Sequence, residues 1–213
     1  MTAKDCGHHN EEEEGHKLPR RLFAAVIGFI ILILFIIFLI WLILRPTKPH
    51  FILQDATVYA FNVSTPSFLT TNIQITVASR NPNAKIGIYY DKLDVYATYR
   101  GQQITLPTLL PPTYQGHKDV SIWSPFVYGN SVPVAPYLGN ALSQDQMVGM
   151  VLLNIKIDGR VRWKVGSFIS GRYHLYVNCP AYVGVGGKMI GNSFAVGSSA
   201  IKYQLVQNCH VDV

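Results

Sequence analysis

The sequence predicts an all-β fold, an antiparallel β-sandwich preceded by one transmembrane helix, and three observations carry that expectation. From Leu22 to Leu44 run 23 consecutive residues without a charge, an amide or a hydroxyl. Beyond them, short stretches alternate apolar and polar residues, the period of a strand with one wet face. Only 14% of the 213 residues are charged, well under the roughly 25% usual for soluble domains, so part of the chain belongs in something other than water. The length admits one ordinary domain and an appendage, and a hydrophobic content of 49% excludes wholesale disorder.

Residues 1–21 have no apolar periodicity. They carry His8, His9, Glu11 to Glu14 and then Lys17, Arg20 and Arg21, the composition of a short disordered tail. Residues 22–44 would form a helix of about 34 Å at about 1.5 Å per residue, enough to cross a hydrocarbon core of about 30 Å. A buried soluble helix would show a polar stripe, and a cleaved signal peptide would have a shorter apolar core ending in small residues. The segment therefore reads as an uncleaved signal anchor. Lys4, Lys17, Arg20 and Arg21 precede it and only Arg45 and Lys48 follow closely, so the positive-inside rule makes the N-terminus cytosolic. Residues 46–213 of this single-pass chain would then lie in the lumen and finally outside the cell. Asn62-Val63-Ser64 is the one N-glycosylation acceptor, and it lies on that outer side.

Residues 45–50 contain Pro46 and Pro49, which cannot extend a helix, and are expected to form a stiff stalk. Residues 51–213 hold the alternating stretches: Ile73 to Val77, Leu93 to Tyr99, Val151 to Ile157, Val161 to Val165, Tyr173 to Val177 and Ile201 to Leu205. Turn signals separate them, among them Asn81-Pro82-Asn83, Arg100-Gly101, Pro111-Pro112 and Asp158-Gly159. One brief helix is expected near Pro136 to Ser143. Seven or more strands so punctuated argue for a sandwich large enough to need no metal or cofactor for stability. Cys179 and Cys209 continue the odd-numbered apolar series of their strands and so should point inward. In an oxidising compartment they could bridge, closing a loop of about 30 residues for roughly 3 kcal/mol. The alternative is two buried thiols.

No nucleophile elbow, zinc-binding helix motif, paired-cysteine motif or phosphate loop is present. Past the apolar run there is no glutamate and only seven aspartates, so an enzyme is not expected. His117, His174 and His210 are far apart and read as surface residues. Arg160, Arg162 and Lys164 share one parity, so a regular strand would line them along a single wet face while Val161, Trp163 and Val165 pack inward. Residues 45–213 carry 14 Lys and Arg against those seven aspartates, and such a face would attract anionic lipid headgroups, an acidic cell-wall polymer or an acidic protein partner. The alternative is a solvated strand face that discourages edge pairing. An outside location leaves no nucleic acid to bind.

In this order of tail, anchor, proline-rich stalk and β-domain, the chain resembles the plant harpin-induced and non-race-specific disease-resistance-like family. Its outer part resembles the late embryogenesis abundant type 2 domain. The resemblance rests on Asn81-Pro82-Asn83, Ile86 to Asp91, Tyr114-Gln115-Gly116-His117, Trp123 to Tyr128, Asp158 to Gly166 and Cys179-Pro180. It implies a fibronectin-III-like sandwich of about seven to eight strands and a role at the plant plasma membrane in defence against pathogens, without a known reaction. Asn81-Pro82-Asn83 then reads as a structural turn. No apolar tail follows Cys209, so a C-terminal lipid anchor is not implied.

Overall fold

A computed structural model describes residues 12–43, 46–64, 67–185, 193–196 and 200–213. The chain divides into two compact units, Met1–Arg45 and Pro46–Val213. The first contains helix α1 (Glu12–Ile43). Leu22–Leu39 within it is long and apolar enough to cross a membrane, and none of that stretch is buried. The helix begins ten residues before the apolar run, so residues 12–21 are helical where a disordered tail is expected from composition. Extending an existing helix is far easier than nucleating a new one. Residues 1–11 and Leu44 lie outside the described residues.

The second unit opens with strands β1 (His50–Ser64), β2 (Phe68–Arg80) and β3 (Ile86–Tyr99). Four short strands follow: β4 (Gln102–Gln103), β5 (Thr108–Leu110), β6 (Thr113–Gln115) and β7 (Val120–Trp123). After β8 (Phe126–Pro133) comes helix α2 (Pro136–Val148), then β9 (Met150–Val165), β10 (Phe168–Ile169) and β11 (Tyr173–Gly184). The chain ends with β12 (Ser193–Val196), β13 (Ala200–Asn208) and β14 (His210–Asp212). One sheet has the order β12-β13-β1-β2-β7, with β8 also on β2. The other has the order β14-β11-β9-β3-β4, with β5 and β6 also on β3 and β10 on β9. Every pairing among the described residues is antiparallel, and the six alternating stretches fall on five of the seven strands of eight residues or more, β2, β3, β9, β11 and β13, but not on β1 or β8. The expected all-β sandwich is thus the observed fold.

The core lies between the two sheets. Leu53, Ile73, Ile75 and Val77 line one inner face, and Ile88, Leu93, Val95, Leu153, Ile155, Ile157 and Leu175 line the other. All its buried members fall between Phe51 and Tyr203, so the unit from Pro46 to Val213 encloses its own core and folds as a domain without helix α1. Tyr173 departs from its alternation and is exposed, at the first position of β11. Helix α2 runs five residues past Ser143, because the chain stays helical until Gly149, whose φ of 91° is a left-handed stop that residues with a Cβ rarely adopt.

Residues 46–50 are not a free stalk. Pro49 is buried, His50 already begins β1, and Thr47 exchanges two hydrogen bonds with Asn83: its N–H donates to Asn83 Oδ1 at 2.9 Å and its carbonyl accepts from Nδ2 at 2.8 Å. Proline stiffness was the legible part; the docking comes from Asn83, 36 residues away. Asn81 is 0% exposed and donates from Nδ2 to the carbonyls of Ile86 (2.7 Å) and Gly116 (2.8 Å). Its Oδ1 accepts from the backbone N–H and the side chain of Asn83 (3.0 and 2.9 Å). Asn81-Pro82-Asn83 is therefore the structural turn the sequence suggests, and it also fastens the chain's entry into the sandwich.

Candidate functional site

Strand parity places the polar residues of β3, β9 and β11 on one outer face, and the register sets them in rows. Lys92, Arg160 and His174 form one row; Asp94, Asp158 and Tyr176 form the next; Tyr96, Lys156 and Asn178 form the third. Two open cavities share Asp158. One, of about 340 Å³, is lined by Lys92, Asp94, Asp158, Gly159, Arg160 and His174. The other, of about 290 Å³, is lined by Tyr96, Lys156, Asp158, Tyr176, Val177 and Asn178.

The sheet's shape here depends on Gly159. A Cβ at that position would overlap the backbone carbonyl of Lys92 and the side chain of Leu93, beside the bulge between Tyr90 and Lys92. Asp94 and Asp158 stand directly opposite across β3 and β9, a like-charge pairing that destabilises a sheet unless each is compensated. Lys92 Nζ lies 2.7 Å from Asp94, and the Tyr96 hydroxyl donates to Asp158 at 2.6 Å. Burial and that bond to Asp158 push the Tyr96 hydroxyl up to about 12. The His174 and Tyr176 rings stack at 6.0 Å. The face thus offers planar rings, two carboxylates and three cations side by side, a surface for hydrogen bonding and stacking. Among the described residues no group of three metal-ligating side chains exists.

Arg160, Arg162 and Lys164 do share this face, but the structure separates their roles. Arg160 is exposed beside the first cavity. Arg162 makes a forked pair with Asp91, its Nε and Nη2 donating at 2.8 and 2.6 Å, and those hydrogen bonds hold its pKa above the ordinary guanidinium value. Lys164 sits over the rings of Tyr89 (5.8 Å) and Tyr114 (5.2 Å), themselves 4.5 Å apart. The stripe is therefore one open cation followed by two engaged ones. Asp91 lies 71 residues from Arg162, and only the pairing of β3 with β9 brings them together.

The other sequence-derived residues fall as follows. Cys179 and Cys209 form a disulfide with Cα atoms 4.3 Å apart, joining β11 to the junction where β13 of one sheet passes into β14 of the other. Asn62 is exposed on β1. His117, His174 and His210 are on the surface. By contrast, Gln115 and Trp123, both within the recognisable motifs, are interior. Gln115 is 0% exposed, accepts from the Tyr90 hydroxyl at 2.9 Å and donates to the Ser79 carbonyl at 2.6 Å. Trp123 packs edge-on to Tyr90 and parallel to Phe51. Those motifs maintain the fold, whereas Asp94, Tyr96, Lys156 and Tyr176 of the outer face belong to no motif; their even parity on apolar-alternating strands was the signal available.

The family model described as late embryogenesis abundant protein matches residues 76–179, from β2 to Cys179. NDR1/HIN1-like protein 1 of Arabidopsis thaliana is 61% identical over 212 residues, covering 99% of this chain and all of the relative. NDR1/HIN1-like protein 12 of the same plant is 59% identical over 213 residues, covering both chains completely. NDR1/HIN1-like protein 26 is 45% identical over 172 residues, covering 80% of this chain and 81% of its own. With that likeness running the full length, through the apolar helix as well as the sandwich, the chain belongs to the NDR1/HIN1-like family and carries its late embryogenesis abundant type 2 domain.

Proposed function

We propose that this chain is a single-pass plasma-membrane protein of the plant defence response, with a cytosolic N-terminus and an extracellular β-sandwich that binds a partner protein and supports immune signalling. The NDR1/HIN1-like family is implicated in plant defence, and the apolar helix fits a membrane anchor. The disulfide suits an oxidising exterior. The balance of Lys and Arg about the helix and the exposed Asn62 support the same orientation.

The observation that carries the recognition role is the outer face of β3, β9 and β11, where rings, carboxylates and cations converge on two adjoining cavities. A second reading, a stress-protective or membrane-to-wall structural protein, draws on the cations Lys92, Lys156 and Arg160 of that face, which suit an anionic wall polymer. Affinity capture from plant membranes with residues 46–213 separates the two. Proteins retained at physiological salt by the parent and lost with R160E or D158N support signalling. Pectin retained only at low salt supports the structural role. Captured proteins indifferent to both substitutions overturn this face as the binding site.

A further inference from the structure

The sheet of β1, β2 and β8 turns an uncharged face outward. Residues 59–64, 68–74 and 126–133 include no Asp, Glu, Lys, Arg or His, whereas the outer face of β3, β9 and β11 is crowded with them. Three rings stand on the uncharged face: Tyr59 is 38% exposed, Phe126 46% and Tyr128 51%. The Tyr59 and Phe126 rings lie 5.7 Å apart, and the Tyr59 hydroxyl donates to Gln74 Oε1 at 3.2 Å. The register sets Phe126 beside Gln74 and Tyr128 beside Asn72, with Ala60 on the other side of Asn72. Grouped exposed rings of this kind mark a surface that something covers. With no charge to attract an anionic polymer or a charged partner, rings set among neutral amides suit a sugar, whose C–H face lies on an aromatic ring while its hydroxyls reach the amides.

A source of sugar is fixed to the same face. Asn62, the acceptor of Asn62-Val63-Ser64, is exposed, shares the outward parity of Ala60 and pairs with Thr70. Thr70 lies two residues before Asn72, so Asn62 and Tyr128 are two strand spacings apart across the sheet and two residues apart along it, a distance of about 12 Å. Phe126 is two residues further along the same strand. The first sugars of a glycan on Asn62 span that distance, and their attachment holds them at an effective concentration at which weak stacking suffices. A free sugar or a wall polymer lacks that advantage.

We infer that Asn62 carries an N-linked glycan whose first sugars fold back over Tyr128 and Phe126 and cover this face. The inference rests on the β-domain lying outside the cell, and it does not depend on the binding face of β3, β9 and β11.

The test uses residues 46–213, secreted behind a cleavable signal peptide from plant cells that attach oligomannose glycans, so that attachment does not depend on the chain's own anchor. Proton resonances of the two N-acetylglucosamines move upfield relative to the same glycan on the unfolded domain, because those sugars lie over aromatic rings. Endoglycosidase cleavage between them is slowed about fivefold for each ring contact, so F126S/Y128S speeds it roughly 25-fold. Both positions are exposed, and an intact disulfide with unchanged circular dichroism confirms the fold of the variant. A bare Asn62 on the secreted domain overturns the inference, as do unshifted sugar resonances or equal cleavage rates in parent and variant. So does self-association of the glycosylated domain that F126S/Y128S abolishes, which would assign the face to a second copy of this chain. A bare Asn62 in full-length protein from plant membranes, beside a docked glycan on the secreted domain, counts against the outside location and not against the docking.

Discussion

Replacing Asn81 tests how the sandwich is closed at its entry end. The side chain makes four hydrogen bonds, two donated to the carbonyls of Ile86 and Gly116 and two accepted from Asn83, and it is fully buried. At about 1 kcal/mol net for each bond, with buried carbonyls left unsatisfied, N81A should lose roughly 3–5 kcal/mol. N81D keeps the shape but supplies an acceptor where two carbonyls need a donor, so its loss at neutral pH should be larger. Burial and those carbonyls raise the pKa of the new carboxyl above its unfolded value. Its deficit therefore shrinks as the pH falls through that raised value, because the protonated acid can again donate. Urea unfolding of residues 46–213 with the disulfide intact measures both. At a slope of about 2 kcal/mol per molar, the N81A midpoint should fall by about 2 M with the slope unchanged. An N81A loss below about 1 kcal/mol, or an N81D as stable as the parent, refutes the reasoning.

Three further outcomes follow from the packing. Reducing the Cys179–Cys209 bridge, or replacing both residues by valine, should lower stability by about 3 kcal/mol for a separation of 30 residues, and an unchanged melting temperature under reductant would contradict it. Tyr96 and Tyr99 donate to Asp158 and Asp145, and burial together with those carboxylates pushes both hydroxyls up to about 12, above the ordinary value of about 10. Their contribution is present in full below about pH 10 and lost as the pH rises through about 12, so ultraviolet titration of tyrosinate should show a late step that shrinks in Y96F. G159A should destabilise by about 1–3 kcal/mol and disturb binding at the outer face, because its Cβ meets the Lys92 backbone; a variant with parental stability would show that the strands can part there.

What was legible in the chain was whatever one strand decides by itself. Alternation along β2, β3 and β9 assigned Ile75, Val95 and Ile155 to the core, and the same parity aimed Cys179 at the interior. What depends on pairing between distant strands was not legible. Asp91 neutralising Arg162 needs β3 beside β9, and the docking of Thr47 needs Asn83 folded back over 36 residues. Strands β4 to β7, of two to four residues each, are too short to show a period and run through a segment with Pro107, Pro111 and Pro112. The outer face was half visible: Arg160 stood out by its charge, whereas Asp94, Tyr96 and Tyr176 join it only through the register.

The account stands on a sandwich held outside the cell by its N-terminal helix, and protease protection of the full-length protein in intact plant protoplasts tests that most directly. Protease added outside should digest residues 46–213 and spare an epitope on the N-terminal tail, and the protected and lysed samples should differ only in that tail. Loss of the tail epitope with an intact β-domain would contradict the orientation and the recognition role built on it.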